Sequence, residues 1–205
     1  LIANIGGRDT VSLDGAWRSI VDPYGAGHTG YHGAPLADGY FRDRKPAGPG
    51  DRVEYDFDGS PTLRVPGDWN SQRRELFVYE GPVWYRRLFE HSAAAGRRTF
   101  LHFGAVTSAM YVWVNGQRVG YSQGSKLPAE FDVTEFVRPG VNRLGAEVYK
   151  FSDASYIEDQ DFWRLSGIYR DVYLMARPAF HIRDFFVTTD LDGTYSDAVF
   201  DLRVN

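Results

Sequence analysis

The dipeptide Asn115-Gly116 joins two runs rich in aromatic and β-branched residues, Ala109–Val114 and Gln117–Tyr121. Both turn residues tolerate positive φ, so this is the strongest short hairpin signal a chain can carry. The same grammar recurs along the molecule: Gly and Pro punctuate short apolar runs roughly every ten residues, and no long amphipathic helix intervenes. That rhythm excludes alternating βαβ units and points to an all-β sandwich or barrel.

Further strands are expected at Val11–Ser12, then after a tight Asp14-Gly15 turn at Ala16–Val21, and again at Thr62–Pro66 and Val83–Glu90. In Arg98–Phe103 the alternation sends Phe100 and His102 to one face and Leu101 and Phe103 to the other. Phe131–Val137 reads as one helical turn closed by Arg138-Pro139-Gly140, followed by strands at Asn142–Phe151 and Ile168–Ala176. Residues 22–51, rich in Gly, Pro, His and charge, read as a long functional or interface loop. Pro178 marks a domain boundary, and beyond it His181–Thr189 and Ala198–Val204 read as two strands around a polar Asp-Gly loop. Two strands do not make a sandwich. The expected organisation is a first β-domain over residues 1–178 and the opening strands of a second over 179–205, in a natural protein that is longer.

At 205 residues the chain can bury a substantial core. With 43% hydrophobic and 24% charged residues and a net charge of −4, neither disorder nor a phosphate-binding surface is expected. No nucleic-acid partner follows. The absence of cysteine rules out disulfides, thiolate catalysis and cysteine-ligated zinc. It suits the cytoplasm, and equally the periplasm or exterior if the core is large. The first residue is Leu1 rather than Met, which suggests a processed or trimmed terminus, and the apolar runs are too short for a membrane helix.

Chemistry concentrates in Ile157-Glu158-Asp159-Gln160-Asp161-Phe162-Trp163-Arg164-Leu165-Ser166-Gly167-Ile168. Carboxylates accept hydrogen bonds from sugar hydroxyls, an aromatic face covers the apolar side of a pyranose, and a strand behind them holds the geometry. This is the pattern of a polyol-binding rim. The bland reading makes Ile168 and Val172 core residues, Trp163 a core or domain-interface residue, Arg164 and Asp171 a surface ion pair, and Glu158 and Asp159 solvated or salt-bridged loop carboxylates.

Six segments in order, Leu13–Trp17, Val65–Trp69, Tyr79–Arg87, Val114–Gly120, Glu130–Thr134 and Asp161–Val172, resemble glycoside hydrolase family 2. This is the family of β-galactosidases, β-glucuronidases and β-mannosidases, and the resemblance covers residues 9–205. It implies a jelly-roll (galactose-binding-like) β-sandwich followed by the start of an immunoglobulin-like sandwich, with a downstream (β/α)₈ barrel carrying the chemistry. It further implies that Asp161 reaches a sugar hydroxyl and a Na+ ion in the barrel's active site. Asp153 matches a residue near an outer Mg2+ site, and Glu158, Asp159 and Trp163 are the other candidate substrate contacts. The segment 153–161 looks closest to the galactosidase version, although the loop Leu76–Pro82 lacks an asparagine that touches galactose in some members.

Retaining hydrolysis needs two carboxyl groups about 5 Å apart on a rigid frame. The family places both on the barrel, so this chain alone is expected to be inert, requiring no cofactor of its own. The expected partners are a β-linked glycoside or oligosaccharide, the downstream domains and a homo-oligomeric copy, with no membrane. A free-standing, non-catalytic carbohydrate-binding module is the alternative, and a module that only bridges subunits a third. Gly120-Tyr121-Ser122-Gln123-Gly124 matches a nucleophile elbow by letters but lacks a helix signal after it, and Gly25–Gly30 matches a dinucleotide fingerprint equally emptily. The five histidines form no ligand cluster by spacing, with His28 and His32 read as loop residues.

Overall fold

The computed structural model describes residues 9–25, 27, 56–92, 96–158, 160–161 and 163–205. Two antiparallel sheets form its body. The first orders β1 (Thr10–Ser12), β12 (Val172–Pro178), β5 (Arg97–Phe103) and β9 (Ala129–Asp132). The second orders β3 (Thr62–Val65), β2 (Gly15–Val21), β4 (Val83–His91), β10 (Gly140–Tyr149), β7 (Ala109–Val114) and β8 (Gln117–Gln123). Short strands β6 (Val106–Thr107) and β11 (Gly167–Ile168) pair with each other, as do β13 (Phe185–Leu191) and β14 (Ala198–Val204).

One core cluster draws on both large sheets: Leu101, Phe103, Val172 and Leu174 from the first, and Trp17, Val65, Tyr85, Val112, Leu144 and Val148 from the second. Burial between two faces of alternating strands is what makes this a β-sandwich. Trp17 is fully buried, donates its indole N–H to the Leu13 carbonyl at 2.8 Å, and meets Tyr85 edge-on. The alternation in β5 is as the sequence implies, with Leu101 and Phe103 in this core while His102 stacks on Tyr173 on the far side. The first half of β4, Val83–Arg86, is buried on both faces, because Trp84 joins Ile20, Phe57 and Trp113 in a second cluster.

The β7–β8 hairpin turns at Asn115 and Gly116, with φ of 52° and 82°. Three expectations are corrected. Asp14-Gly15 does not close a hairpin: β1 lies in one sheet and β2 in the other, and the dipeptide is a corner between layers. There the Asp14 carboxylate accepts the Val172 N–H at 2.8 Å and Leu13 N–H donates to the Val172 carbonyl, so the acid satisfies a strand end rather than a turn. Phe131 and Asp132 belong to β9, paired with Leu101 and Phe100, and only the residues after Val133 turn, with Val137 N–H reaching the Val133 carbonyl. The run Ile168–Ala176 is split between β11 and β12, which sit in different sheets. The loop expected over 22–51, with His28 and His32, lies almost wholly outside the described residues.

Candidate functional site

The site is assembled from three stretches far apart in sequence. The first is the turn after β3, where Asp68 caps α1 (Trp69–Gln72) by accepting the Ser71 N–H at 2.7 Å. The second is the β8–β9 connection around Ser125, and the third runs from α2 (Ala154–Ile157) to β11.

Backbone and buried amide hydrogen bonds lash the third stretch to the first. Gly67 N–H donates to the Ile168 carbonyl and Trp69 N–H to the Ser166 carbonyl, at 2.9 and 2.8 Å. Asn70, almost fully buried, accepts the Ser166 N–H at 2.9 Å and donates to the carbonyls of Leu76 and Phe77, both at 3.1 Å. Gly167 has φ of 134°, and a Cβ there would lie 2.9 Å from the Gly67 carbonyl oxygen. Only glycine permits so close an approach of the two backbones.

The second stretch holds the near end of the arm. Ser125, 2% exposed, donates its N–H to Glu158 at 2.9 Å and its hydroxyl at 2.5 Å, while its own carbonyl accepts the Tyr169 hydroxyl. Partial burial pushes the Tyr169 phenol above its ordinary value.

Asp68, Thr107, Ser125, Lys126, Trp163, Leu165 and Tyr169 line an open cleft of about 220 Å³. Trp163 is 85% exposed, so the core reading of this residue is overturned, whereas Ile168 and Val172 are fully buried as core residues. Trp163 stays outside while the backbone turns inward at Ser166, three residues later, to bond Asn70 and Trp69. Asp161 is exposed and sits at a left-handed φ of 50°, a conformation aspartate tolerates better than most residues. Arg164 lies over the Phe151 ring at 5.5 Å, as does Lys150 at 5.4 Å. Asp159 and Phe162 are outside the described residues.

Asp153 is exposed at the start of α2 and makes no capping bond through its side chain. Among the described residues no three His, Asp or Glu side chains gather. Ser122 lies in β8, and the chain beyond it turns at Gly124 and enters β9 rather than a helix. No helix among the described residues is long and apolar enough to cross a membrane.

Asn70, Ser125 and Tyr169 carry no signal of their own in the sequence, because their partners lie far along the chain: Ser166 is 96 residues from Asn70. The local signals are the Val65–Trp69 segment, which ends one residue before Asn70, and the Asp161–Val172 segment, which contains Tyr169.

An antiparallel sandwich with an exposed acid and indole on an arm clamped beside a cleft is the architecture of a carbohydrate-recognition domain. Residues 11–178 match the model of the sugar binding domain of glycosyl hydrolases family 2, and the chain belongs to that family. A β-galactosidase of Priestia megaterium is 55% identical over 147 residues, covering 70% of this chain and 14% of the relative. One from Clostridium acetobutylicum is 55% identical over 102 residues, covering 50% and 11%. The solved β-glucuronidase of an uncultured Clostridium sp. superposes with a TM-score of 0.75 at 28% identity, over 97% of this chain and 34% of that one. The chain thus spans only a small part of the curated relatives it matches.

Proposed function

We propose that this chain is the N-terminal sugar-binding portion of a retaining β-glycosidase, β-galactosidase-like in its choice of terminal β-glycoside, and that it forms one wall of the active site. The observation that carries this reading is the clamped arm, which holds an exposed Asp161 two residues before Trp163, itself exposed and lining the cleft. An ionised carboxylate binds a pair of sugar hydroxyls, and the indole covers the apolar ring face. Asp161 is the principal contact, Trp163 the stacking surface, and Asp159 a further carboxylate on the same arm. The acid/base and nucleophile belong to a downstream domain, so the chain alone does not turn substrate over. Any Na+ at Asp161 or Mg2+ near Asp153 would draw its remaining ligands from that domain.

The β13–β14 hairpin supports a second sandwich beginning after residue 178. Its register sets Phe185 opposite Val204, Val187 opposite Leu202 and Leu191 opposite Ala198, giving one apolar face that is exposed along its whole length. Further strands of an immunoglobulin-like domain would cover it.

The test is hydrolysis of nitrophenyl β-galactoside, β-glucuronide and β-mannoside by the full-length protein and its Asp161→Asn variant. The galactoside should be preferred. Loss of a charged hydrogen bond should lower kcat/KM by about 10- to 100-fold. An unchanged rate removes Asp161 from the site, and a full-length protein that binds sugar but hydrolyses none favours the non-catalytic module.

A further inference from the structure

We propose that Glu158 is a positioning residue for substrate binding, acting through Ser125 on the arm that carries Asp161. The inference rests on the reading of Asp161 as a sugar contact.

Glu158 is three residues before Asp161, and its carboxylate is already committed. Ser125 N–H reaches both of its oxygens, at 2.9 and 3.2 Å, and Ser125 Oγ donates to Oε2 at 2.5 Å. The two Ser125 donors engage both oxygens of a carboxylate that has roughly four lone-pair sites. Ser125 is almost fully buried, so these bonds are shielded from competing hydroxyls. Glu158 also closes α2, donating its N–H to the Ala154 carbonyl at 2.8 Å and accepting the Gln160 N–H at 2.8 Å. Those backbone bonds close the helix, and the side-chain bonds to Ser125 fix the point from which the arm leaves.

The far end of the arm returns to the same point. Tyr169 donates its hydroxyl to the carbonyl of Ser125, so Glu158 and Tyr169 grip one buried residue from opposite ends of the segment between them. Ser166 supplies a third fixture through Asn70 and Trp69. Gly124 presents Ser125 with φ of 122°, and a Cβ there would meet Leu127 and Glu158 Oε1 at 3.7 and 3.9 Å. A carboxylate on a span held only at its far end would sample many positions, and each would need ordering when sugar binds. Holding both ends moves that cost into folding.

The experiment is a double-mutant cycle in the full-length protein, using the nitrophenyl glycoside it hydrolyses best. Glu158→Ala should reduce kcat/KM by about 10-fold, an effect typical of misplacement rather than of a lost catalytic group. Glu158→Gln, which keeps an oxygen facing the Ser125 N–H, should recover most of that loss. Ser125→Ala should fall between them. In an Asp161→Asn background, Glu158→Ala should add little, because both changes act on one interaction. Should Glu158→Ala fold poorly, the Gln variant and Ser125→Ala complete the cycle.

If Asp161→Asn is severe and the Glu158 effect multiplies with it, or is absent, positioning is overturned while the sugar contact stands. If Glu158→Gln is as damaging as Asp161→Asn, Glu158 touches substrate directly and positioning is again overturned. If Asp161→Asn is harmless, the site reading falls and the positioning role with it.

Discussion

Replacing Asn70 with alanine should unlock the arm from the turn before α1. The amide makes three hydrogen bonds, and two of its partner residues, Leu76 and Ser166, are fully buried, while Phe77 is 70% exposed and its carbonyl can rehydrate. The Leu76 carbonyl keeps the Tyr79 N–H at 3.2 Å, so the one buried backbone group left orphaned is the Ser166 N–H, at about 1–3 kcal/mol. We expect a loss of about 2 kcal/mol. Urea unfolding followed by tryptophan fluorescence reads it directly, since the buried Trp17, Trp69 and Trp84 report on this domain. With a slope of about 2 kcal/mol per molar urea, the midpoint should fall by about 1 M. Asn70→Asp should be at least as harmful, because it retains the acceptor for Ser166 but turns a second oxygen toward two carbonyls. A midpoint shift below about 0.5 M in both variants would refute the clamp.

Gly167→Ala should destabilise the domain by about 2 kcal/mol or more, from its positive φ and the contact with the Gly67 carbonyl oxygen, as measured by the same unfolding assay. Trp163→Ala should leave stability unchanged within about 0.5 kcal/mol, because the side chain is solvent-exposed. In the full-length protein it should raise KM for a β-glycoside, and an unchanged KM would remove the stacking role. Glu130 is held below the ordinary glutamate value of 4.5, first by its hydrogen bond with His102 and then by Arg177. A carboxyl depressed in the fold contributes stability above the ordinary value and loses it as pH falls through the folded one. Glu130→Gln should therefore be less stable than the wild type at pH 7 and lose less on acidification below pH 4.5, read as the thermal midpoint against pH.

Much of the architecture was legible in order. Asn115-Gly116 implied its hairpin because positive φ at two successive positions is a local property of those residues. The faces of β5 followed from a period of two, which needs no knowledge of the partner strand. The segment around Asp161 was also visible, since its acids and aromatics stand next to one another in the chain.

What sequence could not assign was pairing and exposure. Asp14-Gly15 has the local chemistry of a tight turn, yet Val172, 158 residues away, takes its carboxylate and makes it a corner between layers. Trp163 has the chemistry of a core residue, yet it stays exposed where the chain is pinned at Ser166, whose N–H donates to Asn70 and whose carbonyl accepts from Trp69. Ser125 is unremarkable in its own neighbourhood, and becomes the anchor of the arm only when β8, α2 and β11 converge on it. Turn preference, strand alternation and the clustering of acids and aromatics over residues 157–169 were thus determined by the sequence alone, because each depends on residues within a few positions. The place of the rim, and which of its carboxylates faces solvent, were decided by tertiary structure, because the groups that hold it are distant in the chain and meet only in the fold.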